Sequence, residues 1–165
     1  MIKDIINYKL ILFDFDDTLC IHSKHSGISS DVVYNNNVIC KPIQVVYPLE
    51  ECEPNAHMKE FTDYANSCGT KTFGLLSATI GFPHMQRKIE WVTLNYGYKL
   101  ENFSVGKRKE KIDMIKGIAA AMLINYDQVL FIDDNGKSIE AASECGFDAC
   151  TPMEIVNFVE NHLRS

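Results

Sequence analysis

The chain has 165 residues, 46% of them hydrophobic and 23% charged, with a net charge of −6. Such a chain can bury a sizeable core in one soluble globular domain, and its acidic balance argues against an extended nucleic-acid-binding face. No apolar stretch nears the roughly 18 residues of a membrane span. The six cysteines form no CxxC pair, and no secretory leader precedes them, so reduced thiols in a cytoplasm are expected.

Short apolar runs alternate with segments of helical period, the pattern of an α/β fold around a parallel sheet of about five strands. KLILFDF (9–15) reads as the first strand. Residues 20–53 break the rhythm: SGISS, VVYNNNVI and IQVVYP are rich in β-branched residues around an Asn-rich turn. That predicts a loop followed by a β-hairpin, a flap of about 34 residues and too short for a second domain. Residues 1–165 are therefore expected to form a single domain.

A helix over 54–68 places Met58, Phe61, Ala65 and Cys68 on one face and stops at Gly69. KTFGLLS (71–77) is the next strand. The segment 83–97 puts Met85, Ile89, Val92 and Tyr96 on one stripe, ending at Gly97. ENFSV (101–105) follows as a strand, and 108–124 as a helix with Ile112, Ile115, Ala119 and Met122 inward. DQVLFID (127–133) is a strand, 137–145 a helix ending at Gly146, and FDACT (147–151) the last strand. Thr151-Pro152, an N-cap and first-turn proline, opens a helix over 152–163.

In an open parallel sheet, ligands bind beyond the carboxyl ends of the strands, and polar residues gather there. The first run delivers Asp14, Asp16, Asp17 and Thr18; the second Ser77, then Thr79; the fourth Asp133 and Asp134. Lys107, Arg108, Lys109 and Lys111 open the helix after the third run. Singly, each has a plain reading as a cap, a turn residue or a solvated face. Acids converging at two strand ends are harder to explain that way. Two like charges about 4 Å apart cost roughly 4 kcal/mol at an effective dielectric of about 20, so these acids must protonate or recruit a cation. An oxygen-only ligand set with room for water suits Mg²⁺. Cations at a helix N-terminus oppose the macrodipole unless an anion sits there. Metal on one side and lysine on the other describe a phosphate site. Cys20, His22 and His25 are close in sequence, without the second pair that a soft-metal site needs.

These residues resemble the motifs of the haloacid dehalogenase (HAD) superfamily, chiefly phosphatases with an aspartate nucleophile, over nearly the whole chain outside 20–53. FDFDDTL (13–19) is similar to the first motif, DxDx(T/V), and Ser77 at the end of FGLLS to the second. Lys111 matches the third, with Lys109 as the alternate; spacing to the fourth motif favours Lys111, which also directly precedes the apolar stripe. FIDDNGKSIEAA (131–142) is similar to the fourth motif in its DD form, with Ser138 where another Asp or Asn is common.

The resemblance implies a Rossmann-like, HAD-type three-layer sandwich. It implies that Asp14 attacks phosphorus to form an aspartyl-phosphate, and that Asp16 acts first as acid and then as base. Mg²⁺ would be held by the Asp14 side chain, the Asp16 backbone carbonyl and Asp134, with Asp133 beside them in support. Ser77 would hydrogen-bond a phosphoryl oxygen, the lysine would neutralise charge, and Thr18 would order the turn that places Asp16. Asp17 is expected only as a turn residue. Relatives that dehalogenate lack the second aspartate, so Asp16 points to phosphoryl transfer.

Neither slot for a large cap holds enough chain, so an open site is expected. Capless relatives act on macromolecular ends, phosphoproteins, or small molecules enclosed by a homo-oligomer. KIEWVTLNYG (88–97) loosely resembles nucleotidases and polynucleotide 3′-phosphatases, although Trp91 also suits a plain core role. His22, His25 and Tyr34 are flap candidates for substrate contact. The expectation is a Mg²⁺-dependent phosphatase whose partner is a phosphorylated substrate (nucleotides, nucleic-acid ends or phosphoproteins) and not a membrane. The alternatives are a non-catalytic phosphate- or protein-binding module and a metal-dependent nuclease. A receiver domain fits less well, because its acceptor ends the third strand, where this chain has Ser104-Val105-Gly106. Walker A and GxGxxG signatures are missing.

Overall fold

Apolar runs that must be buried on both faces fit a parallel sheet covered by helices, and the chain builds one. The structure is a computed structural model and describes residues 5–22, 49, 52–70, 72–79, 81–97 and 100–164. The strands are β1 (Leu10–Phe13), β2 (Cys20–His22), β3 (Cys52–Pro54), β4 (Thr72–Ala78), β5 (Glu101–Val105), β6 (Val129–Ile132) and β7 (Asp148–Cys150). The helices are α1 (Ala56–Ser67), α2 (Phe82–Tyr96), α3 (Lys111–Met122), α4 (Gly136–Glu144) and α5 (Pro152–His162). The main sheet has five strands in the order β5-β4-β1-β6-β7, and every pairing within it is parallel.

Strand period divides the core into two layers. Ile11, Phe13, Leu130 and Ile132 pack with Met58 and Phe61 of α1, Trp91 and Val92 of α2, and Ile155 and Val159 of α5. Leu10, Leu12, Val129 and Phe131 pack with Ile115, Ile118 and Ala119 of α3 and Ala142 of α4. The result is the three-layer α/β/α sandwich expected from the sequence. Gly74 in β4 has a steric reason: an added Cβ would lie 2.6 Å from Leu12 Cδ2 and 3.0 Å from Phe103 Cε2.

Strand order reverses at β1, because β4 and β5 build outward on one side and β6 and β7 on the other. The crevice at such a reversal opens at the carboxyl ends of the strands. Backbone bonds carry the alignment past the strand ends: Asp14 N–H donates to Ile132 O at 2.8 Å, and Asp133 N–H to Cys150 O at 3.3 Å. The two acidic strand ends are thereby held side by side.

Three elements differ from the sequence reading. The region expected as a loop at residue 20 starts with β2, which pairs antiparallel with β3, His22 opposite Cys52 and Cys20 opposite Pro54. The hairpin expected over VVYNNNVI lies outside the described residues, as do His25, Tyr34 and the side chain of His22. The helix expected from residue 108 opens as a 3-10 turn, Arg108–Glu110, and becomes α-helical at Lys111. The cause is Glu110, whose carboxylate accepts from the Gly106 and Lys107 N–H groups, both at 3.1 Å. On α2 the buried positions are Lys88, Trp91, Val92 and Tyr96, so the inward face is rotated from the expected one, with Met85 and Ile89 only partly covered.

Candidate active site

β1 ends in Asp14, whose side chain is nearly buried. Past Phe15 the chain turns sharply. Leu19 and Cys20 N–H both donate to Phe15 O at 3.0 Å, and Asp17 takes φ 54, a left-handed conformation that short polar residues tolerate. This turn leaves the Asp16 side chain at the rim, 37% exposed. Asn55 braces it: its side-chain N–H donates to Thr18 O at 3.2 Å, while its Oδ1 accepts from His57 and Met58 N–H as the cap of α1. Thr18, expected to order the turn, does so without its hydroxyl. That hydroxyl is buried and has no hydrogen-bond partner among the described residues, so Thr18 contributes through its backbone.

The lysines separate by helical geometry. Lys111, the first residue of α3, is 1% exposed and places Nζ 2.7 Å from both Asp14 Oδ1 and Asp133 Oδ2. Lys109, the alternate, is instead exposed and lines a cavity of about 800 Å³ with Arg108 and Lys137. Burial alone would lower the Lys111 pKa, but the two carboxylates outweigh it and the net direction is up. Lys111 is therefore an ammonium in the resting site.

Asp133 is fully buried with both oxygens engaged: Oδ2 by Lys111, and Oδ1 by the Asn135 N–H at 2.8 Å. Asn135 in turn caps α4 through Lys137 and Ser138 N–H. That leaves Asp134, partly exposed, to face Asp14. One carboxylate oxygen from each of Asp14, Asp133 and Asp134 lies within 4.8 Å of the other two. Burial raises the Asp14 pKa, with Lys111 opposing and Asp133 and Asp16 adding to the rise. Burial, then Asp14 and Asp133, push Asp134 up to about 7. An all-oxygen set in which Asp14 and Asp134 resist ionisation is what a hard divalent cation would stabilise, so the residues fit Mg²⁺. Asp14 and Asp134 are the carboxylates placed to hold it, since Asp133 is already occupied by its partners.

One site residue is absent from the sequence reading. Lys88 of α2 is 1% exposed, donates to Asp16 Oδ2 at 2.6 Å, and donates to Ser77 Oγ at 2.9 Å. Ser77, buried at the end of β4, is thereby linked to the turn after β1. The legible signal was a lysine spaced three and four residues from Trp91 and Val92 on an otherwise apolar face. His84, one turn earlier on α2, is half-buried, and burial followed by the Lys88 charge lowers its pKa.

No protein-family model and no curated protein sequence matches the chain. Solved structures do match it in shape. A haloacid dehalogenase-like hydrolase from Bacteroides fragilis superposes with a TM-score of 0.59 at 16% identity, over 86% of each chain. A HAD family enzyme from Bacteroides thetaiotaomicron in a magnesium complex gives 0.55 at 15% identity, over 88% of this chain and 93% of that one. The N-terminal part of another B. fragilis protein, containing a phosphatase domain complexed with Mg, gives 0.51 at 17% identity over 88% of this chain. The present chain spans only 35% of that last chain. At these identities the likeness establishes the fold: the chain has the haloacid dehalogenase-like fold.

Proposed function

We propose that this chain is a Mg²⁺-dependent phosphatase hydrolysing phosphate monoesters through an aspartyl-phosphate. The observation that carries the reading is Asp14: a carboxylate at the topological switch point, nearly buried, 2.7 Å from a buried ammonium, with Asp16 two residues on at the rim. The magnesium complexes among the structures of like fold support the same reading.

The Asp14 carboxylate oxygen forms a bond to phosphorus as the ester P–O bond breaks, and Asp16 gives a proton to the departing alkoxide oxygen. Asp16, now a carboxylate, takes a proton from the water that attacks phosphorus, which releases phosphate and regenerates Asp14. Lys111 keeps Asp14 oriented and offsets its charge as the dianionic phosphoryl group approaches. Ser77 donates to a phosphoryl oxygen. Mg²⁺ held by Asp14 and Asp134 would supply charge neutralisation to the crowded acids and to the phosphoryl group.

The test is Mg²⁺-stimulated release of phosphate from a generic aryl phosphate, followed by a panel of phosphorylated metabolites, nucleotides and phosphopeptides. Turnover that disappears with EDTA and returns with Mg²⁺ is expected. Oxyanion binding with no turnover of any ester would make the chain a binding module, and cleavage of diesters alone would make it a nuclease. Among the described residues no helix is long and apolar enough to cross a membrane.

The acid cluster also fixes how metal and pH interact. Asp134 has a folded pKa raised from 3.8 to about 7, so the folded apo protein binds this proton more tightly than the unfolded chain. Its stability therefore falls as pH rises across that window. A cation that pairs with the ionised acids removes the penalty. The rise in Tm on adding Mg²⁺ should accordingly be small at about pH 5 and larger at about pH 8. A Tm increment independent of pH would contradict the assignment of Asp134 to the metal.

A further inference from the structure

We infer that Lys88 is a positioning residue: it fixes the Ser77 hydroxyl as a donor toward the phosphoryl group and holds the Asp16 carboxyl group beside it. This rests on the phosphatase reading above. Lys88 sits on the inward face of α2, among Trp91, Val92 and Tyr96, where an apolar side chain would satisfy packing alone. A lysine that merely tolerated such a place would snorkel to water; this one is 1% exposed and turns toward the carboxyl edge of the sheet.

The polarity of its bonds is unambiguous. An ammonium has three N–H donors and no acceptor. Lys88 Nζ lies 2.6 Å from Asp16 Oδ2 and 2.9 Å from Ser77 Oγ, and 4.8 Å from the centroid of the Phe15 ring. Ser77 Oγ must therefore accept from Lys88, and its own proton has to point elsewhere. The other contact given by that oxygen is the Ala78 carbonyl at 3.5 Å, the outer limit of a hydrogen bond. The hydroxyl proton is thus free to turn to an incoming phosphoryl oxygen. With two of its three donors on Asp16 and Ser77 and its charge over the Phe15 ring, Lys88 acts through these residues. It also ties the turn after β1 to the end of β4, so that acid–base group and phosphoryl donor move as a unit.

The experiment measures orthovanadate affinity by calorimetry in Mg²⁺, together with KM and kcat for an aryl phosphate, in Lys88→Met, Ser77→Ala and the double variant. Each single substitution should weaken vanadate binding about tenfold, the size of one hydrogen bond to a charged group, and raise KM similarly. On vanadate affinity the double variant should be no worse than the weaker-binding single, because both substitutions disable the same Ser77 donor. Losses that multiply to about a hundredfold, or a Lys88→Met protein that binds vanadate like the wild type, would overturn the inference. Lys88→Arg, which keeps a donor and the charge, should recover part of the affinity, and it serves as the readable variant if Lys88→Met fails to melt cooperatively. Wild type that binds vanadate without turnover refutes the phosphatase reading while leaving this comparison intact. Wild type that does not bind vanadate refutes both.

Discussion

Asp14→Asn should reduce aryl phosphate turnover by about 10⁴-fold or more, because it removes the atom that bonds to phosphorus and leaves no second carboxylate in its place. The fold should survive. An asparagine at this position keeps an oxygen for the Lys111 ammonium now 2.7 Å from Asp14 Oδ1, and Asp133 retains its own bond to that lysine. The substitution also relieves charge crowding. Burial raises the Asp14 pKa, with further push from Asp133 and Asp16, so ionised Asp14 costs the folded protein stability above its ordinary pKa. Removing it should leave the metal-free Tm at neutral pH equal to or above that of the wild type. A parallel melt and phosphate-release assay checks both halves. Turnover within about tenfold of the wild type would end the case for Asp14 as nucleophile.

Lys111→Met is expected to have the largest effect on stability. It strands two carboxylates, Asp14 at 5% exposed and Asp133 at 0%, without their shared ammonium. Losing one partner of a buried pair costs about 3–5 kcal/mol, or roughly 6–20 °C in Tm for a domain of this size. Acid should narrow the gap, because burial already raises the Asp14 pKa and protonating an unpaired buried carboxylate removes its penalty. Adding Asp133→Asn to Lys111→Met should likewise recover part of the loss. A Tm within about 2 °C of the wild type at neutral pH would show that Lys111 is not the counter-ion these carboxylates depend on.

The parts of this molecule that could be read from its sequence are those whose signal is local. Strands such as LILF and VLFI carry their own apolar continuity, and Thr151 announces a helix start through a cap that the structure retains. Asp14, Asp16, Ser77 and Asp133-Asp134 were identifiable because they end strands, and the parallel sheet brings strand ends to one edge. Lys111 and Lys109 differ only by where α3 begins, which Glu110 decides by bonding back to Gly106 and Lys107. Lys88 was missed because its placement depends on how α2 rotates about its axis, and Met85, Ile89, Val92 and Tyr96 form an equally good stripe in sequence. The division of labour between Asp133 and Asp134 needed the Asn135 N–H, a tertiary detail with no composition signal. The three-residue strands CIH and CEP are too short to show any period.

Those two short strands have a consequence for how this scaffold can be altered. The two ends of the 20–53 excursion are clasped together by β2 and β3, and the residue before it is tied to Tyr96, whose hydroxyl donates to Leu19 O at 2.6 Å. The ends of the excursion are thus fixed about one strand spacing apart, near 4.8 Å, whatever lies between them. Chain closure depends only weakly on loop length, about 0.6 kcal/mol per doubling. His22 and Cys52 therefore form a natural graft junction, across which segments of different length and chemistry can be exchanged while the turn carrying Asp14 and Asp16 stays in register.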